Sequence, residues 1–300
     1  MGKGGMSLLF FLSSNVANCK KSAFYFVLSL NILNFAIEMK IKDIVCALGQ
    51  FAPLPLQESY DNAGLQIGLT EAEVTGALLC LDVTEAVVDE AVALGFNLIV
   101  SHHPLIFRGL KSITGANYIE RCVMKALKHD IVIYAAHTNL DNALNGVNFK
   151  MAEKIGLKNI QFLDPKTDAE SCEAGSGVIG DLPVAELDAD FLRRVKTSFL
   201  VGCVKHTALK GKMIRKVALC GGAGAFLMDE AIKLKADVFI TGEIKYHDYF
   251  GHGEDIVLAE IGHYESEQFT KEIFQQIIRD RFPEVPVRMT EVNTNPINYL

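Results

Sequence analysis

Three stretches of this sequence end an apolar run on histidine. NLIVSHHPLIF, residues 97–107, stops on His102 and His103, with Pro104 next. DIVIYAAHTNLD, residues 130–141, reaches His137 and then Asp141, and DIVLAEIGHYESE, residues 255–267, reaches His263 and then Glu267. A fourth run, VFIT at 238–241, is followed by Glu243. Imidazoles and carboxylates together suit divalent Zn, Fe, Mn, Ni or Co. Three histidines and two carboxylates from this set make five protein ligands, more than one catalytic cation takes while keeping an open position, so two cations sharing a carboxylate fit the count better. Two histidines and one carboxylate around a single iron are the mononuclear alternative. Adjacent His102 and His103 cannot point the same way on a regular strand. At a strand end they can splay toward two neighbouring ions, and Pro104 stiffens that turn. A helix starting near His263 puts Glu267 on the same face, where its two oxygens could bridge.

Taken singly, each motif has a plain structural explanation. The histidine pair suits a solvated loop end, HTNLD a cap or turn, and HYESE an ordinary helix start. Their conjunction points to a metal centre, provided that the fold brings the strand ends together.

The chain reads as though written twice. LCLDVTEAVVDEAVALGFNLIVSHH, residues 79–103, aligns without a gap on LCGGAGAFLMDEAIKLKADVFITGE, residues 219–243. Each copy predicts a strand (77–81; 216–220), a helix (84–94; 224–235) and a second strand (97–101; 237–241). The two His-x-x-x-acid segments supply a third strand to each copy. Helices are predicted after them at 143–155 and 265–281. Strands alternating with helices imply an α/β protein with largely parallel pairing. The expected architecture is two similar α/β halves from an internal duplication, 39–164 and 216–300, forming one globular unit. Residues 165–215, with a strand-like GVIGDLP and a helix at 185–198, connect them. In open α/β sheets the functional crevice lies beyond the carboxyl ends of strands. His102, His103, His137, Asp141, Glu243, His263 and Glu267 all sit there, so they can meet between the halves. His137 and Glu243 are placed to relay protons. His129, His206 and His252 lack that placement, and His247 is intermediate.

Other features narrow the class. The net charge of −7 argues against a nucleic-acid partner. Seven cysteines are scattered singly with no C-x-x-C pair, which fits a reducing, cytoplasmic setting and excludes a cysteine-rich zinc site. Walker A and G-x-S-x-G patterns are absent from the sequence. CGGAGA, residues 220–225, is a weak match to a phosphate-cradling turn. Asp61 and Asn62, in YDNAGLQIG, serve either as turn formers or as groups approaching the crevice. Residues 1–38 differ from the rest, with apolar runs at 7–12 and 22–37 split by Lys20-Lys21. They read as a signal or anchor, as an extra helix, or, the reading preferred, as sequence upstream of a functional start at Met39. Membrane association is expected only if that segment is genuine.

The segments DNAGLQIG (61–68), LIVSHHPLIFRGLKSIT (98–114), AAHTNLDNALNGVN (135–148), VALCGGAGA (217–225), TGEIKYHD (241–248) and GHYESE (262–267) resemble, in order, the GTP cyclohydrolase I type 2 homologues, or Nif-three-like proteins. The resemblance spans about residues 39–300. It implies a two-metal centre, commonly in a homo-hexameric ring. The short 165–215 connection leaves no room for the extra domain that some relatives carry. By resemblance the ligands fall on His102, His103, Asp141, His263 and Glu267, with His137 behind them. The expected activity is metal-dependent hydrolysis of a nucleotide or other phosphorylated small molecule. The alternative is a metal-binding ring that regulates or binds partners without turnover.

Overall fold

The computed structural model describes residues 39–166, 173–252 and 255–300. The segment 1–38, with the three readings of it, lies outside the described residues. From Met39 the chain runs through α1 (Ile41–Phe51), β1 (Gly64–Ile67), β2 (Ala77–Cys80), α2 (Glu85–Leu94), β3 (Leu98–Ser101), α3 (Tyr118–Lys128) and β4 (Val132–Ala135). It continues through α4 (Thr138–Asp141), α5 (Val147–Lys154), β5 (Lys158–Pro165), β6 (Gly175–Leu187), α6 (Asp188–Ser198), β7 (Lys205–His206) and β8 (Met213–Cys220). It ends with α7 (Met228–Lys233), β9 (Val238–Thr241), β10 (Val257–Glu260), α8 (His263–Glu267), α9 (Thr270–Arg281) and β11 (Val287–Met289).

The strands form two sheets, ordered β1-β4-β3-β2-β11 and β5-β6-β8-β9-β10-β7. The fold is mixed α/β. Its two parallel cores share one register. Ala77 pairs with Leu98 and Cys80 with Ser101; at the offset that aligns the two sequence copies (77 to 217, 98 to 238), Val217 pairs with Val238 and Cys220 with Thr241. The third strands add in the same way, Leu98 to Val132 and Val238 to Val257. All four residues of β2, β3, β4, β9 and β10 are buried. Strands covered on both faces are apolar up to their carboxyl ends, where Ser101, Thr241 and Glu260 stand, which is why they read as short runs and do not alternate.

The covers are amphipathic helices. Val87, Val88 and Ala91 of α2 and Val123 and Ala126 of α3 pack on Ile99 and Ile133 of the first sheet. Met151 of α5 and Phe191 and Val195 of α6 pack on Val217 and Val238 of the second. Met228 and Ala231 of α7 meet Ala218 and Phe239 on its other face. Burying each of the valine, isoleucine, methionine and phenylalanine side chains among these contributes about 1.5–3 kcal/mol.

Two helices expected to be continuous are divided. The stretch 224–235 opens as a 3-10 turn, Gly224–Leu227, before α7, and the Gly224 N–H donates to the Thr241 hydroxyl at 3.0 Å. The stretch 265–281 breaks at Gln268-Phe269 into α8 and α9, and α8 starts early enough to include His263. The helix expected at 185–198 starts at Asp188, because residues up to Leu187 belong to β6. The connecting segment and its approach supply β5 and β6, which join the second sheet through β8. The last strand, β11, pairs in parallel with β2, so the end of the chain returns to the first sheet. Lys40–Leu300 forms one compact unit.

Candidate metal centre

The strand order sets β2, β3 and β4 side by side, with their carboxyl ends together. Past β3, the His102 N–H reaches the Cys80 carbonyl at 3.3 Å and the His103 N–H reaches the Leu81 carbonyl at 2.9 Å. The Ser101 hydroxyl donates to the His103 carbonyl at 2.9 Å, which holds the turn closed. The two rings diverge as expected, with centroids 4.9 Å apart and planes 44° to one another. His102 is fully buried, and its Nδ1–H donates to the Ala136 carbonyl at 2.8 Å. His103 turns the other way and donates Nδ1–H to Asp82 Oδ1 at 2.7 Å.

The same device recurs at the other two histidines. His263 opens α8 and donates Nδ1–H to Glu243 Oε1 at 2.8 Å. His137 donates Nδ1–H to Asp61 Oδ1 at 2.8 Å, while the Thr138 N–H and hydroxyl hold Asp61 Oδ2 at 3.1 and 2.5 Å. In each ring the Nδ1 proton goes to an oxygen that has none to give. Nε2 of the neutral ring therefore carries a lone pair.

Those lone pairs converge. Nε2 of His103 and Nε2 of His263 lie 2.9 and 3.2 Å from Glu267 Oε2 and 3.3 Å from each other. Nε2 of His102 lies 3.7 Å from the same Glu267 oxygen and 3.6 Å from Asp141 Oδ1. His102 Nε2 and Asp141 Oδ1 are buried with no hydrogen-bond partner. An unsatisfied buried polar group costs about 1–3 kcal/mol. Two ligands held about 2.1 Å from one cation stand roughly 3–3.5 Å apart, so these separations and this donor set fit divalent ions. Two triads able to hold an ion, His103-His263-Glu267 and His102-Asp141-Glu267, share Glu267; a third joins His102, His103 and His137.

Charge is concentrated here. Burial opposes ionisation of Glu267, but the imidazoles around it hold its carboxyl well below the usual range. Burial, then the Glu267 charge, push Asp141 well above it. Burial likewise drives His102 below the ordinary imidazole value. Burial works against the charged form of His103 and His263 too, yet carboxylates win: Asp82 and Glu267 hold His103 up to about 10, and Glu267 with Glu243 holds His263 up to about 9. Asp61 resists its burial through His137 and Thr138 and drops to about 2.

The glycine turn does not cradle a phosphate. The N–H groups of Gly221, Gly222 and Gly224 donate to Asn148 Oδ1, Ser266 Oγ and Thr241 Oγ1 at 2.9, 3.0 and 3.0 Å, so side chains of neighbouring elements take them up. Its role is steric. Gly222 has φ +58°, and a Cβ there would stand 2.3 Å from Glu267 Oε1. At the 140-residue offset of the two copies (82 to 222), Gly222 corresponds to Asp82, a residue sequence reasoning missed. A lone acid after a strand carries no local signal, and its role shows only in its bond to His103. Of the two readings of Asp61, the one that brings it to the crevice holds, since it partners His137, while the Asn62 amide donates to the Ile106 carbonyl at 2.5 Å. His247 stays outside, exposed against Tyr246 and Phe250.

Beside the cluster lies a cavity of about 210 Å³, lined by Tyr60, His137, Asp141, Phe226, His263 and Glu267 among others. No lysine or arginine lines it among the described residues. Also among those residues, no helix is long and apolar enough to cross a membrane.

Known proteins share this architecture. The chain is 36% identical over 232 residues to a GTP cyclohydrolase 1 type 2 homolog of Clostridium perfringens, covering 76% of this chain and 87% of that one. It is 32% identical over 265 residues to the Lactococcus lactis protein of the same name, covering 86% and 98%. Among solved structures it matches the Staphylococcus aureus hypothetical protein SA1388 with a TM-score of 0.80 and 31% identity, over 87% of this chain and 99% of that one. Residues 39–296 match the family described as Duf34/NIF3 (NGG1p interacting factor 3). The resemblance read from the six motifs and these matches agree: the chain belongs to the Duf34/NIF3 family.

Proposed function

We propose that this protein is a metal-dependent hydrolase whose two divalent cations are held by His102, His103, Asp141, His263 and Glu267, with Glu267 shared. The observation that carries the reading is the pair of buried, partnerless atoms, His102 Nε2 and Asp141 Oδ1, turned toward the same carboxylate as two other imidazole lone pairs. Two cations in that arrangement supply an activated water and Lewis-acid polarisation of an electrophile. His137 lines the cavity, and Asp61 keeps its Nδ1 protonated, which leaves Nε2 to accept a proton. Glu243 is assigned a different task from the proton relay expected of it. Its Oε1 is occupied by the His263 Nδ1–H, so it orients that ring.

The substrate is a nucleotide or other phosphorylated small molecule. Its phosphate meets the cations and solvent, since the three glycine N–H groups of the turn are already bonded and no lysine or arginine lines the cavity among the described residues. That same lack of a phosphate subsite favours the second reading, a metal-binding homo-hexamer that regulates or binds partners without turnover. Elemental analysis of the purified chain, followed by a panel of nucleotides and phosphoesters, tests both. Two cations per chain with metal-dependent turnover supports the hydrolase; two cations without turnover on any member selects the binding protein. One cation or none, unchanged in His103→Ala, removes the dinuclear centre.

A further inference from the structure

Asp82, just past β2, bonds the His103 ring, and Glu265 sits on α8, the helix that carries His263 and Glu267. Neighbouring residues of the C-terminal segment reach both. The Thr294 hydroxyl donates to Asp82 Oδ2 at 2.9 Å, and the Asn295 side-chain amide donates to Glu265 Oε1 at 3.0 Å. Asp82 uses its other oxygen for the His103 Nδ1–H. Glu265 lies between His263 and Glu267 on one short helix.

The segment is itself tied down. After β11, the Thr290 N–H donates to the Leu79 carbonyl at 2.8 Å. The Glu90 carboxylate accepts the Thr290 hydroxyl, and also the Glu291 N–H at 3.0 Å. The Asn295 N–H donates to Asn293 Oδ1 at 3.1 Å, and Asn295 Oδ1 accepts the Ile297 N–H at 3.0 Å. The Asn295 side chain is thus bonded at both its oxygen and its nitrogen.

We propose that residues 290–297 form a clamp that sets the geometry of the metal centre. Thr294 acts through Asp82 on His103, and Asn295 acts through Glu265 on the helix that carries His263 and Glu267. Both are positioning residues, and the inference rests on the metal-centre reading above. The physical reason is rotational. A carboxylate bonded at one oxygen can swing about its last torsion, and the imidazole it holds swings with it. Bonded at both oxygens, it fixes the ring. Partners of this kind change metal affinity by about 10–100-fold. Because the two anchors are adjacent in sequence yet serve opposite sheets, the clamp also fixes the spacing between His103 and His263.

The test uses the full chain and cobalt(II). Affinity is measured by chelator competition and geometry by the visible absorption of bound cobalt, for wild type, Thr294→Val, Thr294→Ser and Asn295→Ala. Thr294→Val keeps the shape and loses the donor; it should bind cobalt about tenfold or more weakly, with an altered spectrum. Thr294→Ser should restore both. Asn295→Ala should weaken binding in the same direction, and it carries the test if Thr294→Val fails to fold. Wild-type affinity and spectrum in Thr294→Val, or in Asn295→Ala where that variant carries the test, overturn the clamp while leaving the metal centre standing. A wild-type chain that binds no cobalt overturns the metal centre, and the clamp with it.

Discussion

Nε2 of His103 and Nε2 of His263 face each other at 3.3 Å across 160 residues of sequence. Neither neutral ring can donate to the other, because each Nδ1 hydrogen is committed to its own carboxylate, Asp82 or Glu243. With both rings neutral, two lone pairs and the Glu267 oxygen at this range repel; a proton on each imidazole or a bound cation relieves that repulsion. These groups lie close enough together to hold a cation between them.

The shared carboxylate should matter most. Glu267→Ala is expected to lose both cations, whereas His103→Ala should lose one and keep the position built by His102, Asp141 and Glu267. Elemental analysis of the two variants reads this directly. Two cations retained by Glu267→Ala would end its assignment as the bridge.

Gly222 and Gly95 make a matched pair. Both have positive φ, +58° and +69°, but a Cβ at Gly222 would strike Glu267 Oε1 at 2.3 Å while one at Gly95 meets nothing within 4 Å. Each alanine substitution should cost about 1–2 kcal/mol in backbone strain. Only Gly222→Ala should also displace metal, as measured by cation content beside a denaturant melt.

If His137 moves the proton, His137→Gln should keep both cations and lose turnover by about 10²–10⁴-fold. Asp61→Asn should fall less far, since the ring remains but its tautomer is no longer enforced. Metal loss in His137→Gln would make it a ligand in place of a relay.

Removing metal should lower stability. The buried Glu267 and the partnerless Asp141 and His102 atoms lose their compensation, so a chelated sample should melt earlier. Returning the cation at 100 times its Kd should restore about 2.7 kcal/mol. A melting temperature indifferent to chelator and cation would contradict the site.

Acid stability should have a separate origin in Glu120. The Thr114 N–H and hydroxyl and the Ala116 N–H donate to one of its oxygens at 2.8, 2.8 and 3.0 Å, and they hold its pKa down at about 2 from an ordinary 4.5. A depressed pKa means stability that is complete above the unfolded value and lost as pH falls through the folded one. Glu120→Gln should therefore be less stable than wild type at neutral pH. The gap between their melting curves should narrow below about pH 4.5 and close near pH 2. A gap that stayed constant across that range would point to packing and not charge.

Local signals made much of this protein legible. The buried strands show as short apolar runs because both faces are covered, and HYESE shows its ligand geometry because a helix repeats its face every four residues. The 140-residue offset pointed to two copies of one strand–helix–strand unit, and the structure pairs β2-β3 and β8-β9 in matching register. Other features had no local trace. Asp82 and Thr294 are single ordinary residues whose meaning lies in a bond spanning 212 positions. The glycine turn looked open because its N–H groups are satisfied by Asn148, Ser266 and Thr241, side chains from three other elements. The return of β11 to the first sheet, and the placement of β5 and β6 in the second, depend on which edges remain unpaired once the parallel cores have formed. Periodicity and spacing encode what a residue does with its near neighbours. Which distant group completes its hydrogen bonds is decided only when packing brings the two together.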